Sequence, residues 1–445
     1  MKIIPLSYWI EEEFEKIRKF IESAHPILGR SIGDEIESIA RLYPNIYNET
    51  KNKVIQKSLK IAEEIKAKMG SIRNEVKQKI EIKKSSPSLE FMEKPVIGCD
   101  TSSNVMPIST ARLYTVSGIS AYIKDKEIKE VKTLTDIIDS ERISEIFECD
   151  AEIDLLEGAL SDEFFGFEDV EIRFIVSALR EAYLCELAKR HLEEVIDDGE
   201  NVYAMVIDGP LSISQWYEKV PGTVRKKAVE MLINARNELM ETCRKNDVAL
   251  LGIVKRGRGR YFHHLLGISQ LSNLSDQSLF HQILDYGERT ETLSVTEGIR
   301  IWRKSDELKR AMKNLKSKEK IKAKEKEIEE KVKSNSLLIN RLRYEILGFF
   351  IKTSTDELTQ PIRIEFPSYL KDRDDEISDF IISTSVRSKY PAYINGLPFA
   401  VAVTHVKARI SSMLMREIYS HTLAKVYQDF KDLRLLPPEW GERPW

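Results

Sequence analysis

The chain has 445 residues, 42% of them hydrophobic and 32% charged, and its 69 Lys plus Arg against 72 Asp plus Glu leave a formal net charge of −3. That apolar fraction excludes a disordered chain, and at roughly 100–200 residues per domain the length predicts two or three domains, or one enlarged by insertions. No run approaches the ~20 apolar residues of a membrane span, and four cysteines without CxxC spacing exclude a disulfide scaffold or a cysteine zinc site.

A reducing cytoplasm is therefore the expected compartment, and the start MKIIPLSYWIEEEFEK shows no basic-then-apolar signal pattern. Residues 1–90 are predicted to form a helical region. Ile10, Phe14, Ile17 and Ile21 share one helical face, and Ile61, Ile65, Met69, Ile72, Val76 and Ile80 repeat the pattern. Polar Lys83 to Ser88, with Pro87, marks a boundary.

From residue 91 the period changes to two. Val96 to Gly98 lead into Cys99 and Asp100 as a short buried strand, and Leu113 to Ile123 and Glu127 to Leu134 form a hairpin around Lys124-Asp125-Lys126. A long helix is expected from about Val170 to Val195, then a strand from Val202 to Ile207 ending in Asp208-Gly209-Pro210. A helix from about Thr223 to Lys245 and a strand from Val248 to Val254 ending at Lys255 follow. This order predicts an α/β fold with a leading antiparallel hairpin. Residues 91–302 and 344–445 are read as two parts of one core, separated by a charged helical insertion at 303–343. Arg303 to Lys333 hold 13 Lys or Arg against 7 Asp or Glu, so a +6 segment is balanced by a −9 remainder. The stretch reads as a salt-bridged helix or helical hairpin, with a DNA-backbone or partner contact as the alternative.

Asp100 and Asp208 each end an apolar strand. Carboxylates converging at the strand ends of one sheet stay ionised together only around a cation, which is the logic of a Mg²⁺ or Mn²⁺ site with one or two ions. Read singly, each is a turn or helix-cap acid. Glu181 lies on the long helix among Ala178, Ala182 and Cys185, small neighbours that suit an inward acid. Glu186 is its competitor, and either reads equally as a solvated acid paired with a nearby Arg or Lys. Lys255 would bring an ammonium to the same crevice. Arg256-Gly257-Arg258-Gly259-Arg260, followed by Tyr261 and Phe262, has a composition suited to nucleic-acid backbone and base stacking. His405 opens a helix after the apolar run Phe399 to Val403, placed to polarise a phosphate, or simply to hydrogen-bond at a helix start. His263, His264 and His281 have no ligand spacing. HExxH, GxSxG and GxxxxGK[ST] are absent, which excludes a zincin, a serine hydrolase of that type and a P-loop ATPase.

Six segments in order resemble the NurA nuclease family: VIGCDTS (96–102), VIDGPL (206–211), GIVKR (252–256), DQSLFHQILDYGERT (276–290), QPIRIEFP (360–367) and GLPFAVAVTHVKARI (396–410). The resemblance covers about residues 91–420. It implies an RNase H-like mixed-sheet core and a Mn²⁺-dependent DNA nuclease with 5′-to-3′ exonuclease and single-strand endonuclease activity. It further implies work on DNA ends in double-strand break repair, as a homodimer with a hexameric HerA-type ATPase. By this resemblance Asp100, Glu181 and Asp208 bind metal, and Lys255 and His405 complete the catalytic set. The family's Gly-Tyr-Pro reads Gly396-Leu397-Pro398 here, so Leu397 stands at the Tyr position, with Tyr390 or Tyr393 as spatial substitutes. The alternative function is a catalytically weak DNA-end-binding or translocase-docking module; an RNA-directed enzyme is a third.

Overall fold

The computed structural model describes residues 74–408 apart from 109–110, 139, 148–167, 215–216, 218–222, 256, 258, 268–274, 315–317, 335–336, 358 and 388–393, together with Lys53, Gln56 and Glu417. The chain divides into two units, Met1–Glu75 and Val76–Trp445. Nearly all of the expected N-terminal helical region lies outside the described residues.

Among the described residues, the second unit is built on one ten-stranded mixed sheet. Its strands are β1 (Ile82–Lys84), β2 (Val96–Ile108), β3 (Ala111–Lys124), β4 (Glu127–Ile138), β5 (Ala204–Asp208), β6 (Ala249–Val254), β7 (Glu288–Thr290), β8 (Leu293–Ser294), β9 (Ile346–Ile351) and β10 (Ile362–Pro367). They lie in the order β1-β7-β9-β10-β6-β5-β2-β3-β4, with β8 against β9. β5 runs parallel to both β2 and β6, and the other pairs are antiparallel. β5 and β6 read as unbroken apolar runs because both of their faces are covered.

Two differences from expectation affect the boundaries. β1 lies before residue 91, so the sheet recruits part of the presumed helical region; three residues are too few to display a period of two. β2 is a 13-residue strand rather than a short one, and Asp100 sits inside it. Beyond Cys99 its parallel neighbour stops, but antiparallel pairing with β3 continues from Asp100↔Ile119 to Ile108↔Ala111. The hydroxyl-rich Thr101-Ser102-Ser103 is held extended by that partner.

Helices cover both faces. On one side lie α1 (Ser140–Phe147), α2 (Glu168–Asp197) and α3 (Thr223–Lys245). Short α4 (Tyr261–Leu265) and α5 (Asp276–His281) follow β6. Then come α6 (Val295–Asn314) and α7 (Lys318–Lys333), and α8 (Asp374–Thr384) and α9 (residues 399–408) lie over the other face. The main apolar layer joins Val206, Leu251, Phe349, Ile364, Phe380 and Val401 between the sheet and α8 and α9. α6 and α7 pack against each other as charged helices, the first beginning at Val295 rather than 303. Lys304–Glu329 (3.1 Å) and Lys331–Glu307 (3.3 Å) bridge the two helices, and Ile328 and Val332 are buried.

Candidate metal centre

The two acids emerge side by side because parallel register places them there. Cys99 pairs with Ile207 at the last step of the β2–β5 ladder, and the next residues are Asp100 and Asp208. Pleating fixes the face each side chain takes. Cys99 points towards α2, where its Sγ lies 3.3 Å from Ser120 Oγ, which lies 2.6 Å from Nδ1 of His191 on that helix. Asp100 therefore projects to the opposite face, under α9. Gly98, on the same face, has no Cβ, and one added there would sit 2.4 Å from the carbonyl oxygen of Ala400. Glycine thus lets α9 rest directly on β2 and brings His405 over both acids.

Asp100 Oδ2, Asp208 Oδ2 and His405 Nδ1 gather at the centre. The imidazole nitrogen lies 2.9 Å from the first oxygen and 3.1 Å from the second. Asp100 Oδ1 is turned away and accepts the Thr101 N–H at 2.7 Å. Lys255, one residue past β6, donates through Nζ to Asp208 Oδ2 and lies 3.2 Å from His405 Nδ1. Burial raises the Asp100 carboxyl above its ordinary range, against the His405 hydrogen bond and with help from the negative Asp208. Burial would raise Asp208 too, but hydrogen bonds from His405 and Lys255 and the lysine's charge hold it below the usual carboxylate range. The same bonds to both aspartates raise His405 to about 9, against its partial burial. Two carboxyl groups and two basic side chains thus face one another within a few ångströms.

The donor set suits a divalent cation. Among the described residues, Asp100, Asp208 and His405 form the one group of three or more His, Cys, Asp or Glu side chains whose ligand atoms all lie within 4.8 Å of one another. Two carboxylate oxygens and an imidazole nitrogen brought together at one point would hold such a cation once the histidine gives up its Nδ1 proton. Oxygen-rich sites with one imidazole fit Mg²⁺ or Mn²⁺ better than a thiophilic metal.

Glu181 departs from the expectation. It sits on α2, across the sheet from the side Asp100 faces, and both its oxygens are engaged. Arg236 Nη2 donates to Oε2 at 2.8 Å and the Tyr217 hydroxyl to Oε1 at 3.0 Å. Arg236, buried on α3, also donates to the carbonyls of Leu211 and Ser212, just after Asp208. Glu186 lies 3.6 Å from Arg190 one turn on, an ordinary helix-surface pair. Leu397 is 3% exposed and belongs to the apolar layer, while Tyr390 and Tyr393 lie outside the described residues. The stacking expected of Phe262 is ruled out by its place in a buried cluster with Phe280 and Phe350, at ring separations of 6.0 and 5.3 Å. Arg256 and Arg258 also lie outside the described residues.

Sequence reasoning overlooked Gln277 and Glu365. Glu365, fully buried on β10, accepts from Ser212 N at 2.8 Å and Ser212 Oγ at 3.1 Å, and pairs with Arg363 at 2.6 Å. Charged residues at alternate positions, Arg363 and Glu365, of an otherwise apolar strand were the available signal for it.

Comparison with known proteins places this geometry in a family. The crystal structure of the NurA nuclease from Sulfolobus solfataricus is similar at a TM-score of 0.50 and 14% identity, covering 86% of this chain and 98% of that one. A crystal structure of NurA with manganese aligns at a TM-score of 0.42 and 9% identity, covering 84% and 98% of the respective chains. No curated protein matches the sequence at a significant level. The RNase H-like mixed sheet expected from the sequence is the architecture observed, and among the described residues no helix is long and apolar enough to cross a membrane. The NurA domain matches residues 94–410, an interval that contains every strand from β2 to β10 and all four groups of the centre, and the chain belongs to the NurA family.

Proposed function

We propose that this protein is a divalent-metal-dependent DNA nuclease that hydrolyses phosphodiesters at the Asp100–Asp208–His405 centre. The observation that carries the proposal is the convergence of those three ligand atoms beside the ammonium of Lys255. Asp100 and Asp208 would hold the cation, with His405 as third ligand or as a donor to the scissile phosphate. When bound, the cation activates a water and stabilises charge on the phosphate oxygens. Lys255, whose ammonium donates to Asp208 Oδ2, would supply a positive charge to a phosphate oxygen beside the centre. Glu181, expected as a ligand, is assigned instead as the counter-ion of Arg236. Family membership supports the finer readings: Mn²⁺ as the ion, 5′-to-3′ exonuclease and single-strand endonuclease activity on DNA ends, a homodimer, a HerA-type hexameric ATPase as partner, and a cytoplasmic location. Purified protein with Mn²⁺ should degrade labelled single-stranded DNA and Asp100→Ala should not; equal degradation by both would refute the assignment.

Burial of Leu397 favours a second reading. A residue without a hydroxyl fills the position where the family resemblance expects Tyr, which suits a module that binds DNA ends or a translocase without turnover. It predicts DNA binding unchanged in Asp208→Ala and no metal-stimulated cleavage at any protein concentration.

A further inference from the structure

The segment DQSLF opens α5, and none of the roles above uses it. Its second residue, Gln277, is 3% exposed, and all of its amide hydrogen bonds run to backbone. Nε2 donates to the Lys255 carbonyl at 2.6 Å and to the Pro361 carbonyl at 2.8 Å, while Oε1 accepts the Gly257 N–H at 2.9 Å. The β6 ladder has ended by then: its last pairs are Val254 with Arg363 on one side and Ile253 with Asp208 on the other. Lys255 and Gly257 therefore have no strand partner, and Gln277 stands in for one. Its neighbour Asp276 grips the far end of the same loop, accepting from Phe262 N and His263 N at 3.0 Å each. Consecutive side chains thus hold both ends of the connection that carries Lys255.

We propose that Gln277 is a positioning residue that fixes the backbone of Lys255 so that its ammonium reaches the phosphate; this rests on the nuclease reading above. A flexible four-carbon stem places a point charge only as well as its backbone is placed, and a misplacement of about 1 Å in such a group can cost on the order of a hundredfold in rate. A buried amide linking the β6 exit, the β10 entry and α5 holds that backbone without touching the metal ligands.

The test compares Gln277→Leu, Lys255→Ala and the double variant in Mn²⁺-dependent cleavage of labelled single-stranded DNA, alongside Mn²⁺ affinity and amide hydrogen exchange over 255–260. Gln277→Leu should lower kcat at least tenfold, leave KM and Mn²⁺ affinity within about twofold, and speed exchange at 255–257. It should cause no further loss in the Lys255→Ala background, because it acts through that lysine. An equal loss in that background, or unchanged exchange at 255–257, would overturn the proposal. If Gln277→Leu does not fold, Gln277→Glu serves: it keeps the size and the Gly257 bond but sets a carboxylate against two carbonyls, with the same outcomes expected. Absence of cleavage by the unsubstituted protein would overturn the nuclease reading, and exchange at 255–257 would still decide whether Gln277 holds Lys255.

Discussion

His405 lies with Nδ1 2.9 Å from Asp100 Oδ2, a contact made across 305 positions of sequence. The bond joins a helix to a strand that touch because Gly98 lacks a side chain, so the histidine's charge state is tied to the packing of α9 on β2.

One consequence is a pH dependence of the metal-free protein. The folded-state value of His405 is raised to about 9, mainly by hydrogen bonds to Asp100 and Asp208, above an unfolded value near 6.5. The stabilisation is complete below about pH 6.5 and is lost as pH rises through about 9. Melting temperature measured without metal should fall between pH 7 and 9.5, and His405→Gln should flatten that part of the profile. A profile identical in both proteins would count against the assignment.

Lys255 and a bound cation compete for Asp208. Lys255→Met should therefore tighten Mn²⁺ binding severalfold by removing a positive charge from the site, yet lower kcat by about 10²-fold by removing a donor to the phosphate. Calorimetric titration and single-turnover cleavage measure the two effects separately. Weaker Mn²⁺ binding in the variant would be inconsistent with the competition.

The Glu181–Arg236 pair separates a structural acid from a ligand. Glu181→Gln leaves a buried guanidinium without its counter-charge, a change that typically costs about 3–5 kcal/mol. Denaturant unfolding should show a loss on that scale, while Mn²⁺ affinity stays within about twofold. A tenfold fall in Mn²⁺ affinity with unchanged stability would reverse the roles.

Gly98→Ala tests the close approach of α9. A Cβ there would lie 2.4 Å from the Ala400 carbonyl oxygen, and the neighbour is backbone, so the helix must shift. Overpacking of this kind costs about 1–3 kcal/mol. Cleavage should fall more than stability alone explains, because His405 moves with the helix, and the two are compared by assaying below the melting transition.

Much of the centre was legible in the sequence because Asp100, Asp208 and Lys255 each follow a short apolar run of strand length. His405 does not open its helix as expected: the apolar run Phe399 to Val403 is itself the first half of α9 (residues 399–408), because an apolar run of five residues does not by itself separate strand from buried helix. The length of β2 was not, since Thr101 to Ser103 extend only because β3 pairs with them, a nonlocal effect. Helical spacing places Glu181 among small residues but does not tell which face of the sheet the helix covers, and that face decides its partner. Gln277 reads as an ordinary polar residue near a helix start, and its three backbone partners lie 20 to 84 positions away. Phe262 was misread because an aromatic after a run of arginines looks exposed until its neighbours Phe280 and Phe350 are placed.

On the proposed assignment Asp100, Asp208 and His405 surround a metal position that excludes Glu181. Crystals soaked in Mn²⁺ and measured at the manganese absorption edge test it most directly. An anomalous peak bonded to Asp100 Oδ2 and Asp208 Oδ2 is expected, with Glu181 still on Arg236. A peak with the Glu181 carboxylate in its coordination sphere, or no peak between the two aspartates, would contradict it.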